Sequence, residues 1–296
     1  MRSLARTGIA VAVCLMGSGR DLCWAQATPA AAVRPVDALA ARLEPTRTLV
    51  YKTMGDRELR LHLFEPDGHR PEDRRPVLIA IHGGGWTGGE PRRFYPFAAH
   101  FQRLGWVGVS VEYRLLNRPP GTTVFDCVCD GRSAVRYVRS HAQELGIDPD
   151  RIAVCGGSAG GHVAAGTALF PEVNDPQDDS AISPIPNALI LYYPVIDTSG
   201  DGYGQAKIGE RWRELSPVHR VRGGLPRTIV FHGTGDRTTP FRGAQAFADG
   251  MRAAGNTCEL VIHEGGVHGY FLYDLHLFAE TMKRTEQFLA EAGVGR

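Results

Sequence analysis

The stretch Ile152-Ala153-Val154-Cys155-Gly156-Gly157-Ser158-Ala159-Gly160-Gly161-His162-Val163-Ala164-Ala165 decides the fold. Its four opening residues are apolar and read as a buried strand. Residues 156–160 spell G-x-S-x-G, and the chain then continues as a helix. A strand that turns this abruptly into a helix carries its serine to the tip, provided the flanking glycines leave room. The serine oxygen then stands above a sheet edge, near a helix N-terminus that favours negative charge. An ordinary glycine-rich turn can show the same five letters, so the surroundings must carry the reading.

Outward from this elbow the chain alternates. Apolar runs at 77–81, 107–111, 152–155, 188–193, 228–231 and 260–262 are separated by helix-length stretches at 94–104, 127–145, 241–254 and 275–292. Continuous apolar runs mark strands buried on both faces, and helical crossovers between them make a mostly parallel α/β sheet. Residues 49–53 and 59–64 predict an opening hairpin across Gly55-Asp56, and Ile147-Asp148-Pro149-Asp150 predicts a turn before the elbow strand. Residues 171–186 and 197–222 break the alternation. Both are expected at the carboxyl edge of the sheet, as a small lid or substrate wall.

Composition narrows the partners. The 296 residues are 43% apolar and carry a net charge of +1 without long runs of one sign. That pattern suggests neither nucleic acid nor a polyanionic surface. Arg2 and Arg6, an apolar stretch over 9–17 and Ala25-Gln26-Ala27 predict a signal peptide over 1–27. The run is too short to span a bilayer, so a periplasmic or secreted chain starting near Thr28 is expected. A short segment, 28–47, then precedes one domain over 48–296. Cys127, Cys129, Cys155 and Cys258 would remain; metal-type pairs are missing, and no zinc is expected.

His82-Gly83-Gly84-Gly85-Trp86 follows the 77–81 strand. Acyl transfer needs preorganised N–H donors for its oxyanion, worth roughly 3–4 kcal/mol each. A glycine loop can aim such donors, whereas a phosphate loop would need a Lys-Ser/Thr that is missing here. Ala159, directly after the serine, should add another donor. Serine also needs a base and an orienting acid. His268 and Asp236 both follow late strands, giving the order Ser, Asp, His. Among eleven histidines, His162 lies behind the serine, His263 in a strand and His82 in its own loop, while His219 and His276 read as surface residues. Trp86, Trp212 and Tyr270 are possible substrate-wall residues, each equally plausible as packing.

These motifs, with Tyr113-Arg114-Leu115, residues 148–161 and residues 232–240, resemble the hormone-sensitive-lipase-like branch of the α/β-hydrolases. The chain is most similar there to bacterial acetyl, acetylxylan or feruloyl esterases. The resemblance implies a Ser158–His268–Asp236 triad, an oxyanion hole from Gly84, Gly85 and Ala159, and no cofactor. It implies a small-molecule or polysaccharide ester as substrate. The short stretch before the first strand implies a minimal cap. Arylformamidase-like amide hydrolysis, exopeptidase-like activity and a non-catalytic binding module are the alternatives.

Overall fold

The computed structural model describes residues 34–295, which fall in one compact unit; the expected signal peptide lies outside them. In chain order the elements are α1 (Pro35–Ala40), β1 (Arg47–Met54), β2 (Arg57–Phe64), β3 (Arg75–Ile81), α2 (Tyr95–Arg103), β4 (Val107–Val111), α3 (Val124–Ser140) and β5 (Ile147–Gly157). There follow α4 (Ala159–Leu169), β6 (Ala188–Tyr192), α5 (Gln205–Ile208), β7 (Arg227–Gly233), α6 (Phe241–Ala253), β8 (Cys258–His263) and α7 (Leu275–Glu291). The eight-stranded sheet runs β1-β2-β4-β3-β5-β6-β7-β8, parallel from β4 to β8. Two pairings among the described strands are antiparallel, β2 with β4 and the opening hairpin β1–β2, which is joined by a two-residue turn with Gly55 at φ 58. Among the described residues no helix is long and apolar enough to cross a membrane.

The central apolar runs are strands because their residues are covered on both faces, whereas in the edge strand β8 Ile262 stays exposed. In β3, Val77, Ile79 and Ile81 enter one core, and Leu78 and Ala80 enter the other; Ile152 and Val154 alternate with Ala153 and Cys155 in β5. Helices α3, α4 and α6 cover the first face, and α1, α2 and α7 the second. The four described cysteines, Cys127, Cys129, Cys155 and Cys258, are free thiols, three of them buried. From residue 34 the N-terminal segment adds to the core: in α1, Val36 and Ala40 are buried, and α1 packs on α2 and α7.

Two boundaries differ from the sequence reading. Helix α3 starts at Val124 rather than Cys127, because Thr123 and Asp126 cap it reciprocally, and it stops at Ser140. The predicted turn at 147–150 is drawn into β5. Ile147 pairs with Arg75, and the excursion up to Ile152 is a register shift in the strand. Asp148 holds it by accepting from Arg74, Arg151 and the Asp150 N–H.

An ion network pins the hairpin to α3. Asp130, with no exposed side-chain area, accepts from Lys52 Nζ at 2.8 Å, and from the Arg114 backbone N–H, Nε and Nη2 at 2.9, 2.7 and 2.8 Å. Asp175 lies 2.6 Å from Lys52 and 3.7 Å from Arg114. Burial works to lower the Lys52 ammonium, but Asp130 and Asp175 outweigh it, leaving Lys52 raised. Segment 171–186 is therefore no lid. Helix α4 runs back from Ser158 and delivers the chain to the opposite sheet edge, where Asn174, Asp178 and the Ile182 carbonyl bind Arg136.

Candidate active site

At the end of β5 the backbone of Ser158 takes φ 55, ψ −122, a conformation that costs an L-residue about 1–3 kcal/mol. Its surroundings hold it there. Ser158 N–H donates to the Tyr192 carbonyl at 3.0 Å, and its own carbonyl accepts from Val195 and His162 N–H at 3.0 and 3.1 Å. The glycines are obligatory through crowding. A Cβ at Gly160 would stand 2.2 Å from the Ile81 oxygen, and one at Gly156 would stand 2.2 Å from the Gly160 oxygen.

Three strand ends meet over this serine. His268, in the loop after β8, has Nε2 2.9 Å from Ser158 Oγ and Nδ1 2.7 Å from Asp236 Oδ2. Asp236, in the loop after β7, is buried and accepts N–H groups of Thr238 and Thr239 at 2.8 and 2.9 Å. The Thr239 hydroxyl adds a further donor at 2.9 Å. Burial works to raise the Asp236 carboxyl, yet His268 and the Thr239 groups leave it below the usual carboxylate range. An ionised Asp236 fixes the proton on Nδ1, so Nε2 is free to accept from the serine. Tyr193 stacks edge-on against His268, with centroids 5.0 Å apart.

The glycine loop closes over the elbow. A Cβ on Gly83 would come within 3.1 Å of Ser158 Cβ, and Gly84 and Gly85 take positive φ of 129 and 61. Among the described residues, the N–H groups of Gly84, Gly85 and Ala159 have no protein acceptor. Gly84 and Gly85 line a cleft of about 240 Å³ with Ser158 and His268. A larger hollow of about 520 Å³, bounded by Arg74, Arg139 and Gln143, includes none of the four strand-end loops.

The other histidines are structural. His232 bonds the Thr239 carbonyl at 2.7 Å beneath the Asp236 loop. His82 bonds the Gly83 carbonyl at 2.9 Å and His162 the Leu215 carbonyl at 2.7 Å; His219 and His276 are exposed. Burial lowers both His82 and His162 to about 4, with the hydrogen bonds working the other way. The unfolded chain titrates these rings near 6.5, so between roughly pH 6.5 and 4 it binds more protons than the folded one. Stability is therefore full above this window and falls as pH drops through it, by up to about 3 kcal/mol per ring. Urea midpoints at neutral pH and near pH 4.5 check this; an unchanged midpoint would show rings open to water.

None of the three proposed wall residues lines the cleft. Trp86 is fully buried, at φ 62, edge-on to His162 at 5.0 Å. It is enclosed by His162 of α4 and by Tyr203 and Gly204 just ahead of α5. Tyr270 stacks on His263 at 4.2 Å on the far side of its loop, and Trp212 packs on His219. The wall comes instead from Phe94, Tyr193, Tyr203, Leu272 and Tyr273, joined by Arg34 and Arg93. Segment 197–222 does reach the site, through α5: Lys207 Nζ donates to the Gly85 carbonyl at 3.1 Å and lies 2.7 Å from the Tyr203 hydroxyl.

Comparison with known proteins agrees with this architecture. Residues 61–200 match the BD-FAE family model. Thermogutta terrifontis esterase 2, seen phosphoramylated by tabun, superposes with a TM-score of 0.80 at 41% identity, covering 84% of this chain and 95% of that one. The probable carboxylic ester hydrolase LipM of Mycobacterium tuberculosis is 31% identical over 241 residues, 73% of this chain and 54% of LipM. Esterase LipQ from the same organism is 31% identical over 225 residues, 68% of this chain and 51% of LipQ. The chain thus spans about half the length of the curated relatives it matches. It belongs to the α/β-hydrolase esterases, in their hormone-sensitive-lipase-like branch.

Proposed function

We propose that the chain is a serine carboxylic-ester hydrolase working through an acyl-enzyme. The observation that carries this reading is the unbroken relay from Ser158 Oγ to His268 to Asp236, at 2.9 and 2.7 Å, under a glycine loop with unclaimed donors. His268 Nε2 takes the Ser158 proton as Oγ attacks the ester carbon. The resulting oxyanion rests on the N–H groups of Gly84, Gly85 and Ala159. His268 then gives that proton to the departing alcohol, and water, deprotonated by the same nitrogen, releases the acid. Asp236 stabilises the imidazolium formed in each half without taking its proton.

The acid is small or planar, acetyl or feruloyl, and the alcohol a carbohydrate or aryl group. The cleft of about 240 Å³ supports this, since its cap helix α5 is only four residues long and a bulky alcohol can project into solvent. A fluorophosphonate probe is expected to label Ser158 stoichiometrically and to stop hydrolysis of p-nitrophenyl acetate. Labelling elsewhere, or none, would sink the reading. Acetate release from acetylated xylan set against ferulate release from a feruloylated sugar decides the acyl group.

A further inference from the structure

Cations converge on the cleft from three separate parts of the chain. Arg34 precedes α1, and Arg93 lies in the helical turn Pro91–Phe94 beyond the glycine loop; both line the cleft with Ser158. Lys207 reaches the same cleft through its bonds to Gly85 and Tyr203, which line it. Opposite charge is scarce there. No carboxylate lines the cleft, and Asp236 lies beneath it, committed to His268 and Thr239. Arg34 has Asp37 at 3.3 Å. Among the described residues, the Arg93 guanidinium has no hydrogen-bond or ion-pair partner, and Lys207 has no carboxylate. The whole chain carries only +1, so this is a local excess and not a sample of a basic surface.

Tyr193 lines the cleft between the two arginines' segments. Burial raises its phenol; Arg34 acts to lower it, Asp37 to raise it, and Arg93, more weakly, to lower it. That hydroxyl stands 2.6 Å from where a Gly157 Cβ would be, next to the elbow. A concave site lined by one sign of charge focuses its field on an incoming ion.

We propose that the cleft selects esters bearing a carboxylate, which Arg93 and Arg34 bind while Ser158 attacks the ester. The inference rests on the ester-hydrolase reading of the same site. The carboxylate can ride on the acid or on the alcohol, and two matched pairs separate these cases. The acid pair is the mono-p-nitrophenyl ester of adipic acid against p-nitrophenyl hexanoate. The alcohol pair is para-acetoxybenzoate against para-acetoxybenzamide, each rate divided by its uncatalysed rate.

In one pair the anionic member is expected to lead by about tenfold in kcat/KM. Arg93→Gln should cut that lead several-fold, and so should about 0.5 M NaCl, which screens half-exposed charges. Arg103→Gln, exposed at the end of α2, should leave the ratio unmoved. Equal or better use of the neutral member in both pairs would overturn the inference. So would a lead that survives both Arg93→Gln and Arg34→Gln. Failure of all four esters together with no Ser158 labelling removes the hydrolase reading, and this inference with it.

Discussion

Ser158→Ala is expected to lower kcat for p-nitrophenyl acetate by about five to six orders of magnitude and to leave thermal unfolding close to that of the parent. The loss is large because the serine oxygen is the hydroxyl that His268 Nε2, 2.9 Å away, can deprotonate for attack. Stability is spared because alanine keeps the Cβ against which Gly83 packs, and the same strained backbone. A remnant of catalysis survives, since the glycine loop still offers its N–H groups to a carbonyl attacked by water. Asp236→Asn should cost about four orders of magnitude, because a neutral amide no longer fixes the His268 tautomer. Steady-state kinetics beside melting curves separates these variants. Retention of more than about one part in a hundred by Ser158→Ala would place the nucleophile elsewhere.

Asp130→Ala should destabilise the fold by about 3–5 kcal/mol, a drop in Tm of roughly ten degrees. The carboxylate has no exposed area and answers two cations, Lys52 at 6% and Arg114 at 14% side-chain exposure. Removing it strands both where water reaches poorly, with only Asp126 and Asp175 left nearby. Asp130→Asn should lie between parent and alanine, keeping shape while losing charge. Chemical denaturation of the three proteins is the measurement. A loss under about 1 kcal/mol for the alanine would mean that the network is hydrated and contributes little.

Strand ends were the legible part of this protein. Each functional loop follows an apolar run and is written in glycine, so both its place and its backbone freedom are local properties. His268 and Asp236 were readable because chain order on such a sheet dictates which loops can meet. The cleft wall was not readable, because it depends on which way a side chain turns after folding. Trp86 follows a glycine loop just as a substrate-facing ring would, and the arrival of His162, Tyr203 and Gly204 around it makes it core. Tyr193, Arg34 and Lys207 come from segments distant in sequence, without periodicity or motif to join them. The turn expected at 147–150 failed for a related reason. Asp-Pro-Asp is turn chemistry locally, but Arg74, Arg75 and Arg151 hold it in the sheet.

Helix α1 has a practical meaning for the design of shortened versions. A chain trimmed to begin at its first strand would retain the sheet and the Ser158–His268–Asp236 relay. It would uncover the apolar seat of Val36 on α2 and α7 and remove Arg34 from the lining of the cleft. A shortened version that keeps the packing of the second core and the lining of the cleft therefore starts at residue 34 or earlier.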